Sequence, residues 1–91
     1  MRLTIKFSNL LAEKIAKKVE ISVDQEQISL TQFMRIIDEQ PWSSEVIDNK
    51  HIKPPVILVI DDKLVKMSIN EDIIITETSD ISFQLMFAGG L

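Results

Sequence analysis

The sequence predicts a one-domain α+β roll, in which a mixed four- or five-stranded sheet packs on one main helix. Three observations support this. Segments near both ends alternate polar and apolar residues with period two, as half-buried strands do. One stretch in the middle follows helical spacing behind a capping signal. A short apolar run, Val56 to Ile60, stands between a proline pair and a polar turn, at the length of a strand. A chain of 91 residues has room for one hydrophobic core.

The elements follow in order. Leu3, Ile5 and Phe7 alternate with Arg2, Thr4 and Lys6 in a first strand. Residues 8 to 18 form a connection with a helical turn, in which Leu11 and Ile15 share a face. Val19, Ile21 and Val23 make a second strand and close an antiparallel hairpin. Ser29 as N-cap and Gln32 three residues on fit a capping box. Leu30, Phe33, Met34, Ile36 and Ile37 then predict a helix over 30–39, ended by Pro41. Trp42, Val46 and Ile47 suggest a short second helix, with Trp42 as a core anchor. After Pro54-Pro55, the run Val56–Ile60 reads as a strand buried on both faces. Asp61-Asp62-Lys63 is a turn, 64–67 a short return, and 68–80 a loop or a turn of helix. Ile81, Phe83, Leu85 and Phe87 alternate with Ser82, Gln84 and Met86 in a last strand. The order β-β-α-β-β(short)-β allows the first and last strands to pair in parallel at the centre, the arrangement called a β-grasp. The domain is expected over 1–87, with a flexible tail at 88–91.

Composition narrows the chemistry. There is no Cys, which excludes disulfides, zinc–thiolate sites, iron–sulfur clusters and thiol nucleophiles. A net charge of −4 disfavours nucleic acid, whose binding is driven by Lys and Arg. No apolar run approaches the ~20 residues of a membrane span, and the first residues lack the apolar stretch of a signal peptide. The expectation is a cytoplasmic protein with no membrane partner.

Both glycines of the chain are the adjacent pair Gly89-Gly90, between Ala88 and Leu91. A tail without Cβ atoms can thread a narrow channel, because glycine tolerates every backbone region. With this pair the chain resembles the ubiquitin-like sulfur carriers, namely the small subunit of molybdopterin synthase and the thiamine-pathway sulfur carrier. Further likenesses are the strand-turn-return Val59-Ile60-Asp61-Asp62-Lys63-Leu64-Val65 and the acidic turn Glu77-Thr78-Ser79-Asp80 leading into Ile81-Ser82-Phe83. The resemblance spans essentially the whole chain.

The resemblance implies a carrier rather than an enzyme. A ubiquitin-activating-type adenylyltransferase would use ATP to adenylate the Gly90 carboxylate. A sulfur donor would displace AMP and leave a thiocarboxylate for molybdopterin- or thiamine-like cofactor biosynthesis. The domain would bind no cofactor or metal itself, and could act as the small subunit of a synthase beside a large subunit. Met86 and Phe87 would take part in partner binding, with Ala88, Gly89, Gly90 and Leu91 as the tail. Two departures stand out. Leu91 follows the diglycine, which moves a terminal carboxylate roughly 3.3–3.6 Å outward. It is therefore expected to be removed, unless it is an expression remnant or the carrier is inactive. The outer face of the last strand, Ser82, Gln84 and Met86, is also more polar than the family's, and no proline precedes the tail.

Other candidates are weaker. His51, the sole histidine, reads as a surface residue. Asp61-Asp62 and Glu71-Asp72 read as solvated turns rather than cation loops. Ser43-Ser44 lacks the context of a nucleophile. Lys14, Lys17 and Lys18, joined by Arg2 and Lys6, form a solvated face or a docking patch for an acidic partner. Two alternatives to the sulfur carrier stay open. One is a ubiquitin-like modifier joined through Gly90 to a target lysine. The other is a β-grasp interaction module with an inert tail.

Overall fold

The computed structural model describes residues 1–65 and 73–85, apart from the side chain of Asn9. The chain order is β1 (Arg2–Phe7), α1 (Asn9–Lys14), β2 (Lys18–Ser22), β3 (Gln27–Ser29) and α2 (Leu30–Asp38), then a 3₁₀ turn at Ser43–Glu45. β4 (Ile47–Asp48), β5 (His51–Ile52), β6 (Val56–Ile60), β7 (Lys63–Leu64), β8 (Ile74–Thr76) and β9 (Ile81–Leu85) follow.

Five strands form one sheet in the order β2-β1-β9-β6-β7. β1 and β9 run parallel, with Ile5 opposite Ile81 and Phe7 opposite Phe83. The other pairs are antiparallel. A parallel pair at the centre of a sheet flanked by hairpins and packed on one main helix is the β-grasp roll. Among the described residues, no helix is long and apolar enough to cross a membrane.

Period two sorts the side chains of the sheet. Leu3, Ile5, Phe7, Val56, Leu58, Ile60, Ile81 and Phe83 are buried on one face and meet Leu30, Phe33, Met34 and Ile37 of α2 in a single core. Each such side chain contributes about 1.5–3 kcal/mol when fully buried. α2 starts where the sequence places it. The Ser29 hydroxyl accepts from the Gln32 N–H at 3.1 Å, and Gln32 Oε1 accepts from the Ser29 N–H at 2.9 Å. The helix ends at Asp38.

The expectation that β6 is buried on both faces is corrected. Ile57 and Val59 are half-buried, because one helix covers only one face of the sheet. The connection 8–18 contains the helix α1, with Leu11 buried and Ile15 half-buried.

Two small sheets enclose the ends of the core. β3 and β8 pair antiparallel, with Ile28 opposite Ile75 and both buried. The reading of 68–80 as loop or helix is therefore corrected at 74–76, where Ile75 points inward and Ile74 is 52% exposed. β4 and β5 form a minimal hairpin. The short second helix expected after Trp42 is a single 3₁₀ turn. Val46 and Ile47 are buried as expected. Trp42 is only half-buried and packs edge-on against Phe7 at 5.1 Å.

Both two-residue hairpin turns are built without glycine. Asn49 and Lys50 have φ of 51° and 66°, as do Asp61 and Asp62. Positive φ at both central residues is the type I′ signature, whose twist matches the flanking strands. The Asp61 turn is also tied to the start of β9. Its N–H donates to the Asp80 carbonyl at 2.9 Å, and its Oδ1 accepts from the Asp80 N–H at 2.9 Å. Residues 66–67 of the expected return strand, Glu71-Asp72, and 86–91 lie outside the described residues. So does the boundary expected between residues 87 and 88.

Candidate functional site

β9 is the central strand, held on one side by β1 and on the other by β6. Leu85, its last residue, is opposite Val56, the first residue of β6. β1 ends at the same end of the sheet and leads through Ser8 directly into α1, with the Ser8 N–H donating to the Phe83 carbonyl at 3.2 Å. α1 packs against β9, so the end of the central strand is flanked by α1 and by the segment that enters β6.

Between these elements is a shallow hollow of about 130 Å³, lined by Leu10, Leu11 and Lys14 of α1, Glu45, Lys53 to Val56, and Leu85. Leu11 is buried, whereas Leu10 is 49% exposed and forms an apolar lip. Lys14 lies 3.8 Å from Glu45. The Lys53 ammonium donates to the Ser44 carbonyl at 3.3 Å. Phe7 at the end of β1, Phe83 of β9 and Trp42 form an aromatic group. Phe7 and Phe83 stack at 5.9 Å. The hollow is thus an apolar step with two cationic side chains at its rim. Such a surface suits holding or releasing an extended segment rather than enclosing a small substrate, for which pockets are larger and deeper.

The open face of the sheet is the second surface. Ile57 and Val59 of β6 share it with Leu64, which is opposite Val59 and 41% exposed. Ser82 and Gln84 of β9 stand beside them, joined by a 3.0 Å hydrogen bond from Gln84 Nε2 to Ser82 Oγ. The polar pair expected on the outer face of the last strand is therefore next to an apolar strip supplied by β6 and β7.

Residues 86–91 carry the expected partner-binding pair Met86 and Phe87 and the tail Ala88, Gly89, Gly90 and Leu91, all outside the described residues. The other candidates are placed as follows. His51 is exposed on β5, opposite Asp48. Among the described residues, no hydrogen bond joins the Ser43 or Ser44 hydroxyl to it, and no group of three or more His, Asp or Glu could hold a metal ion. The basic cluster is divided by acidic partners. Arg2 lies 3.5 Å from Glu20, and Lys6 lies 3.5 Å from Asp80. The sequence reading missed Leu10, Lys53 and the strip Ile57–Val59–Leu64. The strip had a signal, since a domain with one main helix must leave half of each strand uncovered.

No family model matches the chain, and no curated protein matches it. Its structure is similar to the solution structure of the Haloferax volcanii HVO 2177 protein, with a TM-score of 0.67. The two share 18% sequence identity over 99% of this chain and 87% of the other. At that identity the likeness shows the fold.

Proposed function

We propose that this domain is a ubiquitin-like sulfur carrier that acts through the carboxylate of Gly90. The observation that carries this reading is the direction of β9. The central strand runs parallel to β1 and ends at Leu85 beside the hollow, and Met86, Phe87 and Ala88 alone separate it from Gly89-Gly90. Residues 86–90, fully extended, span up to about 17 Å. That is enough to reach into a partner's active site while the folded body docks outside.

Cleavage after Gly90 frees its carboxylate. A ubiquitin-activating-type adenylyltransferase then joins the carboxylate to the α-phosphate of ATP, releasing pyrophosphate. The acyl-adenylate is a mixed anhydride, so its carbonyl carbon is electrophilic. A hydrosulfide-level donor attacks it, a carbon–sulfur bond forms, the carbon–oxygen bond to AMP breaks, and a thiocarboxylate remains. The domain supplies recognition through its open face and tail, and the partner supplies the catalysis. The sulfur would pass to a cofactor precursor held by another protein, such as a synthase large subunit. The setting we assign is the cytoplasm.

A second reading is favoured by Leu91, which follows the diglycine as in the precursors of protein modifiers. It uses the same adenylate with a target lysine as the nucleophile. Intact-mass analysis of protein from its native host tests both. The carrier predicts a chain ending at Gly90 with one oxygen replaced by sulfur. The modifier predicts covalent adducts on other proteins. A chain still extending beyond Gly90 and bearing no modification contradicts both.

A further inference from the structure

We infer that the free edge of β2 pairs with the same edge of a second copy of this chain, giving a continuous ten-stranded sheet. This inference does not rest on the proposed function. In the β1–β2 hairpin, the Phe7 N–H donates to the Lys17 carbonyl at 3.0 Å and the Val23 N–H donates to the Met1 carbonyl at 2.8 Å. With the register that places Ile5 opposite Val19, these bonds fix the alternation of the ladder. Residues 17, 19, 21 and 23 direct their backbone groups at β1. Lys18, Glu20 and Ser22 direct theirs outward, away from the sheet. Among the described residues, no strand pairs with that edge. An unpaired five-residue edge is a template for another strand.

The side chains select the occupant. Lys18 and Glu20 are exposed and lie on the same face, two residues apart. In an antiparallel pair of identical strands centred on Val19, Lys18 of each copy faces Glu20 of the other. Both positions then exchange N–H···O bonds, four in all, with two opposite-charge pairs above them. A lone edge lysine would repel a second strand, but a Lys-x-Glu edge complements itself. Shifting the register to centre on Glu20 places the two Glu20 carboxylates against each other. On the helix side, Val19 and Ile21 are only half-buried, so Val19 meeting its own copy at the centre covers apolar surface that α2 leaves open. Because β9 is antiparallel to β2, the two copies of Leu85 point to opposite ends of the long sheet. Neither hollow is covered.

Sedimentation equilibrium of the full chain up to millimolar concentration tests this, with K18E, E20K and the exchanged K18E/E20K. Both residues are exposed, and the Arg2–Glu20 ion pair that E20K gives up is a solvent-exposed surface contact that adds little to stability, so each variant keeps the fold. The expected result is a concentration-dependent dimer in the unchanged chain, weakened roughly tenfold or more by either single reversal and restored in the double variant. In hydrogen exchange, the Lys18 and Glu20 amides should slow as concentration rises, while the Val19 and Ile21 amides, already bonded to β1, should not respond. A chain that stays monomeric, or single variants that dimerise as well as the unchanged chain, or a double variant that stays monomeric would overturn the inference.

Discussion

The two faces of the central sheet are built from the same strands and do different work. The helix-covered face is apolar apart from Lys63 at its β7 edge, and Ile5, Leu58 and Phe83 have no exposed surface. The open face mixes the ion pairs of Arg2 and Lys6 with Ser82, Gln84 and the strip Ile57, Val59 and Leu64. Alternation along each strand makes this separation automatic, since neighbouring residues point to opposite sides. The consequence is that stability resides on one side of the sheet, while the carrier proposed above would be recognised through the other. A change to one should leave the other nearly untouched.

The largest effect should come from the covered face. Phe83→Ala removes a fully buried ring stacked on Phe7 and should cost about 3–5 kcal/mol, a large part of the stability of a small domain. Urea denaturation measures it, and a loss under about 1 kcal/mol would mean that the core is not organised around β9. Next comes the support of that face. Ser29→Ala deletes the hydroxyl that caps α2 and should cost about 1 kcal/mol, read as a lower urea midpoint with an unchanged slope. Lys50→Gly should raise stability by about 0.5–1 kcal/mol. It relieves a positive φ at an exposed turn without altering a packed side chain, so its effect runs through the backbone alone. Smallest is Val59→Thr on the open face, which should stay within about 0.5 kcal/mol of the parent. A loss as large as that for Phe83→Ala would erase the distinction between the faces.

Much of the fold was legible because its signals are local. The period-two strands at Leu3–Phe7 and Ile81–Leu85 and the reciprocal Ser29–Gln32 cap each announce themselves within a few residues. The β3–β8 pair did not. Each strand is three residues long, and Ile28 and Ile75 find each other only in the folded chain. The β4–β5 hairpin was hidden for another reason. Its turn is Asn49-Lys50, without the glycine that usually marks two positive-φ residues. The apolar run Val56–Ile60 was misread because composition alone cannot separate a doubly buried strand from one that uses its outer side chains as a surface. For the candidate site, the diglycine is plain in the sequence. The hollow at the end of β9 is not, since Leu10, Lys53 and Leu85 come together only when the central strand is in place.

The most direct test of the central claim is ATP–pyrophosphate exchange by a ubiquitin-activating-type enzyme, with this chain cut after Gly90 as the acceptor. The expected result is exchange that depends on the cut chain and is lost when Leu91 remains attached. A single extra residue displaces a terminal carboxylate by roughly 3.3–3.6 Å, and misplacements near 1 Å already cost about 100-fold in rate. Absence of exchange with the cut chain, or equal exchange with and without Leu91, would contradict activation at Gly90.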